Sequence, residues 1–395
     1  MTIQSPTAFR RVAATALACT ALLGAAACGS EPNAAAAQDR PELQQAIQEI
    51  ADSGFAGVQL RVHDRRGQWA GSAGVAELGN AAKPPTDGRF WTGSSVKPFT
   101  ATMVLQLVAE GRIGLDAPVA DHLPELGLDR RITTRMLLQH TSGLFNYTGE
   151  YYDDGTMAPG IPATGKEWLD NRFHSYQPEE LVRLALSKPA RFEPGTDFSY
   201  ANTNYTLALL LIEKVTGNSY AEELQRRILD PLGMRGTVVP GNLTELPEPY
   251  AHGYFRYQDA GEWRTVDVAR QNLSLLAGAG DLISTTEDLH RFFAALNGGK
   301  LLPAPLLAEM RTPNPKLGYG LGIFVQDVGP KCGGTVYHHN GSPPAGYGTM
   351  MYSSPDGSVT MTASLTMGDS AMEPTKEFPK ATQQLIEKVF CGGGK

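Results

Sequence analysis

Ser94 and Lys97 are the residues of this sequence best placed for nucleophilic chemistry. They lie in Gly93-Ser94-Ser95-Val96-Lys97-Pro98-Phe99-Thr100, and residues three apart on a helix sit one above the other. A hydroxyl beside a partly buried amine becomes a nucleophile, because burial lowers a lysine pKa and frees its lone pair. Ser95 is two residues from Lys97 and falls on another face. S-x-x-K alone does not exclude a capping serine ahead of a surface lysine. Tyr200-Ala201-Asn202 is a second cluster, after a Pro194-Gly195 turn. A phenol beside a lysine ammonium has a lowered pKa and can shuttle a proton, and an asparagine offers donor and acceptor to an amide substrate. The third is His338-His339-Asn340-Gly341-Ser342, where a polar residue and then a glycine at a strand edge would let a substrate backbone pair with it. His338 and His339 are a poor metal pair, since adjacent strand residues face opposite ways and no H-E-x-x-H or C-x-x-C accompanies them.

These clusters need elements to hold them. Val96, Phe99, Met103, Val104, Leu107 and Val108 recur at helical spacing up to Gly111, which predicts a helix behind Ser94 with Pro98 near its first turn. Helical patterns also cover Pro41 to Ile50, Ile132 to Leu138, Pro178 to Leu186, Tyr205 to Val215, Tyr220 to Ile228, Asp281 to Leu296 and Glu373 to Phe390. Val58 to Val62 and Trp69 to Val75 read as a hairpin, and strand patterns return at Gly322 to Gln326, Thr335 to His338, Tyr347 to Tyr352 and Ser358 to Leu365. The stretch from Tyr147 to Gly165 is too long for an idle connection and is expected to shape a cleft. Strands at both ends with helices between them predict an α/β layer from about 41–92 and 300–395, with a helical region of about 93–299 inserted.

The 395 residues are 42% hydrophobic and 19% charged, with a net charge of -7. That composition suits a large globular core, and no basic run interleaves with aromatics, so nucleic acid is not an expected partner. Arg10-Arg11 and the apolar run Val12 to Ala27 read as an export signal, 1–28, followed by a flexible tether, 29–40. Ala25-Ala26-Ala27-Cys28 resembles a lipoprotein cleavage site, which would make Cys28 a lipidated N-terminus and anchor the protein to a membrane. Ordinary cleavage after the Ala34 to Ala37 run and twin-arginine export are the alternatives. Each places the mature chain outside the cytoplasm. Of four cysteines, Cys332 and Cys391 remain, and two cysteines in an exported chain suggest one disulfide, with two free buried thiols as the alternative.

Taken together, S-x-x-K, Y-x-N and His-x-Gly in this order resemble the penicillin-recognising serine enzymes: class C β-lactamases, serine DD-carboxypeptidases and related esterases. The flanking stretches Leu107 to Pro118, His140-Thr141-Ser142-Gly143-Leu144, Phe198 to Gly217 and Ser284 to Phe293 resemble the family as well. The resemblance covers about residues 41–391. It implies an α/β fold, an antiparallel sheet flanked by helices with an inserted helical region, and catalysis without metal or organic cofactor. Ser94 would be acylated, and Lys97 and Tyr200 would handle protons, with the choice of base left open. The backbone N–H groups of Ser94 and Ser342 would form the oxyanion hole. Asn202 would orient the substrate amide, and His339, Asn340 and Gly341 would line the edge that receives a carboxylate. His-x-Gly in place of Lys-x-Gly looks closest to secreted actinobacterial DD-carboxypeptidases, so a D-alanyl-D-alanine carboxypeptidase on peptide or β-lactam substrates is the leading expectation. A β-lactamase of the same fold and an esterase or D-amino-acid amidase are the rivals. Some family carboxypeptidases carry an arginine just past a Tyr-Gly-x-Gly turn. Here Tyr319-Gly320-Leu321-Gly322 leads into Ile323-Phe324-Val325, and another cation, such as Lys331, would have to substitute for the arginine.

Overall fold

The computed structural model describes residues 39–152 and 154–391. The export signal, Cys28 and most of the tether lie outside them. Six strands form one sheet: β1 (Phe55–Asp64), β2 (Gly67–Gly74), β3 (Phe324–Asp327), β4 (Thr335–His338), β5 (Tyr347–Ser353) and β6 (Thr360–Met367). Their order is β2-β1-β6-β5-β4-β3, antiparallel throughout. The early and late parts of the chain meet at the β1–β6 pair, where Leu60 opposes Ala363.

Five helices frame this sheet: α1 (Pro41–Asp52), α2 (Lys97–Ala109), α3 (Asn202–Thr216), α4 (Thr286–Asn297) and α5 (Pro374–Ile386). Alternation along the strands sorts the two faces. Val58, Leu60, Val62, Val336, Met350 and Leu365 join Leu43 and Ile47 of α1 and Leu385 of α5 in one apolar cluster. The opposite face meets the helical region: Arg61 pairs with Glu287 of α4 at 2.9 Å, and Thr362 donates to the Thr286 carbonyl. Met351 and Ile323 pack there with Phe99, Leu211 and Phe292.

The spacing in α2 predicted one apolar stripe. The helix is buried nearly all round, as expected of a helix at the centre of a large core. From Trp91 to Leu105 every residue is buried except Ser94.

The structure departs from the sequence reading at several elements. The helix predicted from Asp281 starts at Thr286, because the Thr285 hydroxyl caps it by accepting from the Asp288 N–H, and Ile283–Ser284 instead pairs as a short strand with Phe90–Trp91. The Tyr147 to Gly165 stretch contains a two-stranded ribbon, Gly149–Tyr151 with Met157–Pro159. A second ribbon, Tyr254–Asp259 with Glu262–Asp267, had no counterpart in the sequence reading. The terminal helix ends in a wider turn, Glu387–Cys391, which brings Cys391 to a disulfide with Cys332. Among the described residues no helix is long and apolar enough to cross a membrane.

Candidate active site

A single 3-10 turn, Gly93–Val96, precedes α2 and presents Ser94. Gly93 has φ 54°, and a Cβ there would come within 2.6 Å of the Ser342 nitrogen. Only a glycine lets the nucleophile turn sit this close to the loop after β4. Past β4 the chain continues in extended form: His339 N–H donates to Met351 O, and Gly341 and Thr349 exchange backbone bonds of 2.9 and 2.7 Å. A Cβ on Gly341 would lie 1.9 Å from Thr92 O and 2.8 Å from Ser95 N, so the motif's glycine is what admits the Ser94 turn against this strand. Ser95 is committed to that contact, since its Oγ donates to His339 O at 3.1 Å. The hydroxyl left to face the cleft is that of Ser94.

Lys97 reaches back from the first turn of α2. Its Nζ lies 3.0 Å from Ser94 Oγ, 3.0 Å from Asn202 Oδ1 and 2.8 Å from Ala279 O. Burial drives its pKa well below the ordinary lysine value, only partly offset by Asp281. A neutral amine has two N–H donors and one lone pair. Asn202 Oδ1 and Ala279 O are acceptors only, so in the neutral amine they take the two N–H groups and the lone pair meets the Ser94 hydroxyl, whereas the ammonium donates to all three. The Tyr200 phenol hydrogen-bonds Ser94, and burial raises its pKa. That corrects the expected lowering: the lysine 4.7 Å from the Tyr200 ring centroid is itself pushed towards neutrality, and desolvation of a phenolate dominates. Tyr200 is therefore a proton donor at neutral pH. Asn202 begins α3, and Asn146 Oδ1 accepts from its backbone N–H at 3.1 Å. Asn146 is in turn held by Glu150, whose Oε1 accepts from the Asn146 N–H.

His339 is buried beside this group. Its Nδ1–H donates to the Asn340 carbonyl at 2.7 Å, and its Nε2 accepts from the Tyr319 hydroxyl at 3.2 Å. Burial first, then Lys97, holds its pKa well below the usual imidazole value, so it is neutral.

A model of the family described as Beta-lactamase matches residues 43–384. The chain belongs to the Beta-lactamase family. A D-stereospecific amidohydrolase from Streptomyces sp. superposes with TM-score 0.77 at 34% identity, covering 90% of this chain and 100% of that one. Penicillin-binding protein 4* of Bacillus subtilis is 29% identical over 335 residues, 81% of this chain and 69% of that protein. Penicillin-binding protein 4 of Amycolatopsis lactamdurans is 32% identical over 256 residues, 61% of each chain. One further Bacillus subtilis relative is matched over 53% of its length, so this chain spans roughly half to two thirds of these curated relatives. The chain thus has the fold of the Beta-lactamase family.

Within that family frame, Ser94, Lys97, Tyr200 and Asn202 come together, and Gly341 and Ser342 border them. Asn340 does not join them. The alternation that separates His338 from His339 also turns Asn340 to the α1–α5 side, where its Nδ2 donates to Tyr352 at 3.0 Å and His338 stacks between Phe324 and Tyr352. What Asn340 offers the edge is backbone. Lys331 stands at the β3–β4 turn, in a cavity with Arg65 and Asp356 at the far end of the sheet, and Phe324 borders His339 at 5.4 Å between ring centroids. Neither position supplies the cation looked for in the sequence.

Two residues near the site had no role assigned from sequence, where His140 appeared only within a stretch resembling the family. His140, with φ 58°, is fully buried. Its Nδ1 accepts from the Ala201 N–H at 3.2 Å, and its ring lies 4.2 Å from that of Tyr200. It thereby holds the backbone between Tyr200 and Asn202. Asp281 is buried, accepts from the Gly278 N–H, and is raised to about 7 by desolvation. Its only trace in the sequence was as the first residue of a predicted helix.

Proposed function

We propose that this chain is an acyl-enzyme amidohydrolase that cleaves the amide or peptide bond following a D-residue. The observation that carries the chemistry is the three-way coordination of Lys97 Nζ by Ser94, Asn202 and Ala279. In this reading the Ser94 proton passes to Lys97 as Oγ attacks the carbonyl carbon. The developing oxyanion is met by the Ser94 and Ser342 backbone N–H groups, each contributing about 3 kcal/mol in comparable sites. Tyr200 gives its proton to the departing nitrogen, and the proton held by Lys97 returns to the phenolate. Water then repeats the sequence on the ester.

The preference for D-configured amides draws on the similarity to the Streptomyces amidohydrolase over that protein's full length. The position of Lys331 at the far end of the sheet favours an amide or ester leaving group over a free C-terminal carboxylate. The D-alanyl-D-alanine carboxypeptidase expected from the motifs is the second reading, supported by the penicillin-binding proteins among the relatives. Steady-state assays on D-alanine amide, L-alanine amide, a D-Ala-D-Ala peptide and a penicillin separate them. Turnover of the D-amide well above the peptide supports the first reading. Faster release of terminal D-alanine establishes the carboxypeptidase, and faster penicillin hydrolysis a β-lactamase. We further propose that the protein works outside the cytoplasm, held by a lipid on Cys28. Loss of membrane association in Cys28→Ser tests this.

A further inference from the structure

Three consecutive carbonyl oxygens at the seam between α2 and α3 each accept from a side chain. Ala277 O takes the Thr206 hydroxyl, Gly278 O the Thr100 hydroxyl and Ala279 O the Lys97 Nζ, all at 2.8 Å. Lys97 and Thr100 are three apart on α2 and share a face. Thr206 lies one turn beyond Asn202 on α3. Residues 277–279 therefore fix where the lysine stands against both helices. The two threonines are held in turn: Tyr220 gives its phenol proton to Thr100 at 2.8 Å, and Tyr147 gives its own to Thr206 at 3.1 Å. The threonine hydrogens already go to carbonyls, so the phenols are the donors.

The N–H side of the same segment is held from within. The Ala279 and Gly280 N–H groups donate to Leu276 O at 2.8 and 2.7 Å, and the Gly278 N–H donates to Asp281 Oδ1 at 2.9 Å. Asp281 is buried and belongs to none of the three sequence motifs. Its Oδ1 can accept in either protonation state of the carboxyl. Gly278 has φ 70°, and a Cβ there would lie 2.9 Å from Tyr205 O and 2.7 Å from Leu209 Cβ. Its backbone is pressed onto α3 in a conformation that favours glycine, and a buried N–H in such a place needs an acceptor. Asp281 supplies it, two residues after the carbonyl that Lys97 uses.

We infer that Asp281 is a positioning residue for the reaction: by holding Gly278 it fixes the Ala279 carbonyl, and that carbonyl turns the Lys97 lone pair towards Ser94. With Asn202 Oδ1 as sole acceptor the amine could rotate about one hydrogen bond, and a second acceptor at a fixed place removes that freedom. The inference rests on the acyl-enzyme reading only in that Lys97 activates Ser94, so its test uses a fluorophosphonate probe, which reports an activated serine whatever the substrate. In labelling, a bond forms between Ser94 Oγ and phosphorus, fluoride leaves, and the hydroxyl proton goes to Lys97. Asp281→Ala should lower the labelling rate constant at saturating probe by roughly 10-fold or more, with the half-saturating concentration unchanged. Asp281→Asn keeps the Oδ1 acceptor and should retain at least about a third of the original rate constant. A residue that merely supports the fold would shift the melting temperature and leave the rate constant of the folded protein in place. Thr100→Val removes the other tether of Gly278 and carries the test if Asp281→Ala does not fold; it should lower the same rate constant about 10-fold. An unchanged rate constant in Asp281→Ala, or in Thr100→Val where that stands in for it, overturns the inference. So does an Asp281→Asn protein as slow as Asp281→Ala, since the charge and not the hydrogen bond would then matter. Failure of the unsubstituted protein to label at Ser94 overturns it together with the acyl-enzyme chemistry. Labelling in the expected pattern with no turnover of D-amides would remove the proposed substrate and leave the role of Asp281 standing.

Discussion

Ser94 and Ser95 differ by one position and serve different ends. Ser95 Oγ is spent on His339 O, whereas Ser94 is bonded to Lys97. A labelled penicillin should acylate Ser94 alone. Ser94→Ala should abolish labelling and turnover, and Ser95→Ala should retain part of both. An adduct mapped to Ser95 or Ser142 would overturn the assignment. Asn340→Ala offers a sharper check on the strand's alternation. Its side chain bonds Tyr352 on the face away from Ser94, so kcat/KM should stay within about three-fold, whereas Tyr200→Phe should lose roughly 100-fold or more. Lys97 also sets the acid limb of activity. Its pKa is lowered by burial, and the protonated amine has no lone pair for Ser94. Rates on a non-ionising amide should therefore fall as pH drops through the depressed lysine value, and Ser94 labelling should fall in parallel.

The turn before α2 and the extension of β4 form one device, joined at two glycines. A Cβ on Gly341 would have to displace Thr92 O or Ser95 N, which are backbone atoms. Gly341→Ala should cost about 1–3 kcal/mol through overpacking and lower kcat/KM more than a loss of that size explains, because the Ser94 and Ser342 N–H groups would separate. Thermal melts beside kinetics decide this, and a melt shifted without loss of activity would show that the two strands move together. The same logic explains His140. Its ring joins the loop after the Thr134–Leu138 helix to the Ala201 N–H, so the segment carrying Tyr200 and Asn202 is registered against that loop by a side chain outside the reacting group.

Across the α4–sheet interface, His63 and His290 stack at 4.1 Å. Burial, with His63 as a further cause, lowers His290 to about 4, although Glu287 pulls upward and Arg61 and Arg291 push down. A histidine depressed in the folded state binds fewer protons there than in the unfolded chain between pH about 6.5 and 4. Its neutral burial therefore destabilises the fold progressively as pH falls through that window. The folded chain should melt lower at pH 4.5 than at 7, and His290→Gln should shrink the difference. Asp281, raised to about 7, acts with the opposite sign: its protonated form favours the folded state, and that contribution fades as pH rises towards 7. The Cys332–Cys391 bridge closes a loop of separation 59, which a chain-entropy estimate values at about 4 kcal/mol. Reduction should lower the melting temperature, and two thiols alkylated without reductant would show that the bridge does not form.

Much of the site was legible because its parts are local. Ser94 and Lys97 sit three apart on one helical path, Tyr200 and Asn202 flank one residue at a helix start, and His339 to Ser342 follow a clear strand. Periodicity located α2, α3, β4 and the terminal helix from their own residues, although α2 and α3 turn out buried nearly all round. The misjudgements came where neighbours from afar decide. Asp281 was read into a helix, yet Ile283 and Ser284 pair with Phe90 and Trp91, almost two hundred positions away in the chain. The polar, charged ribbon around Trp263 carries little apolar alternation, and only docking of Phe255 against Trp168 gives it a place. The Tyr200 phenol was expected to be acidic beside a charged lysine. Burial is a property of the assembled core, and it keeps that phenol protonated and leaves the lysine its lone pair.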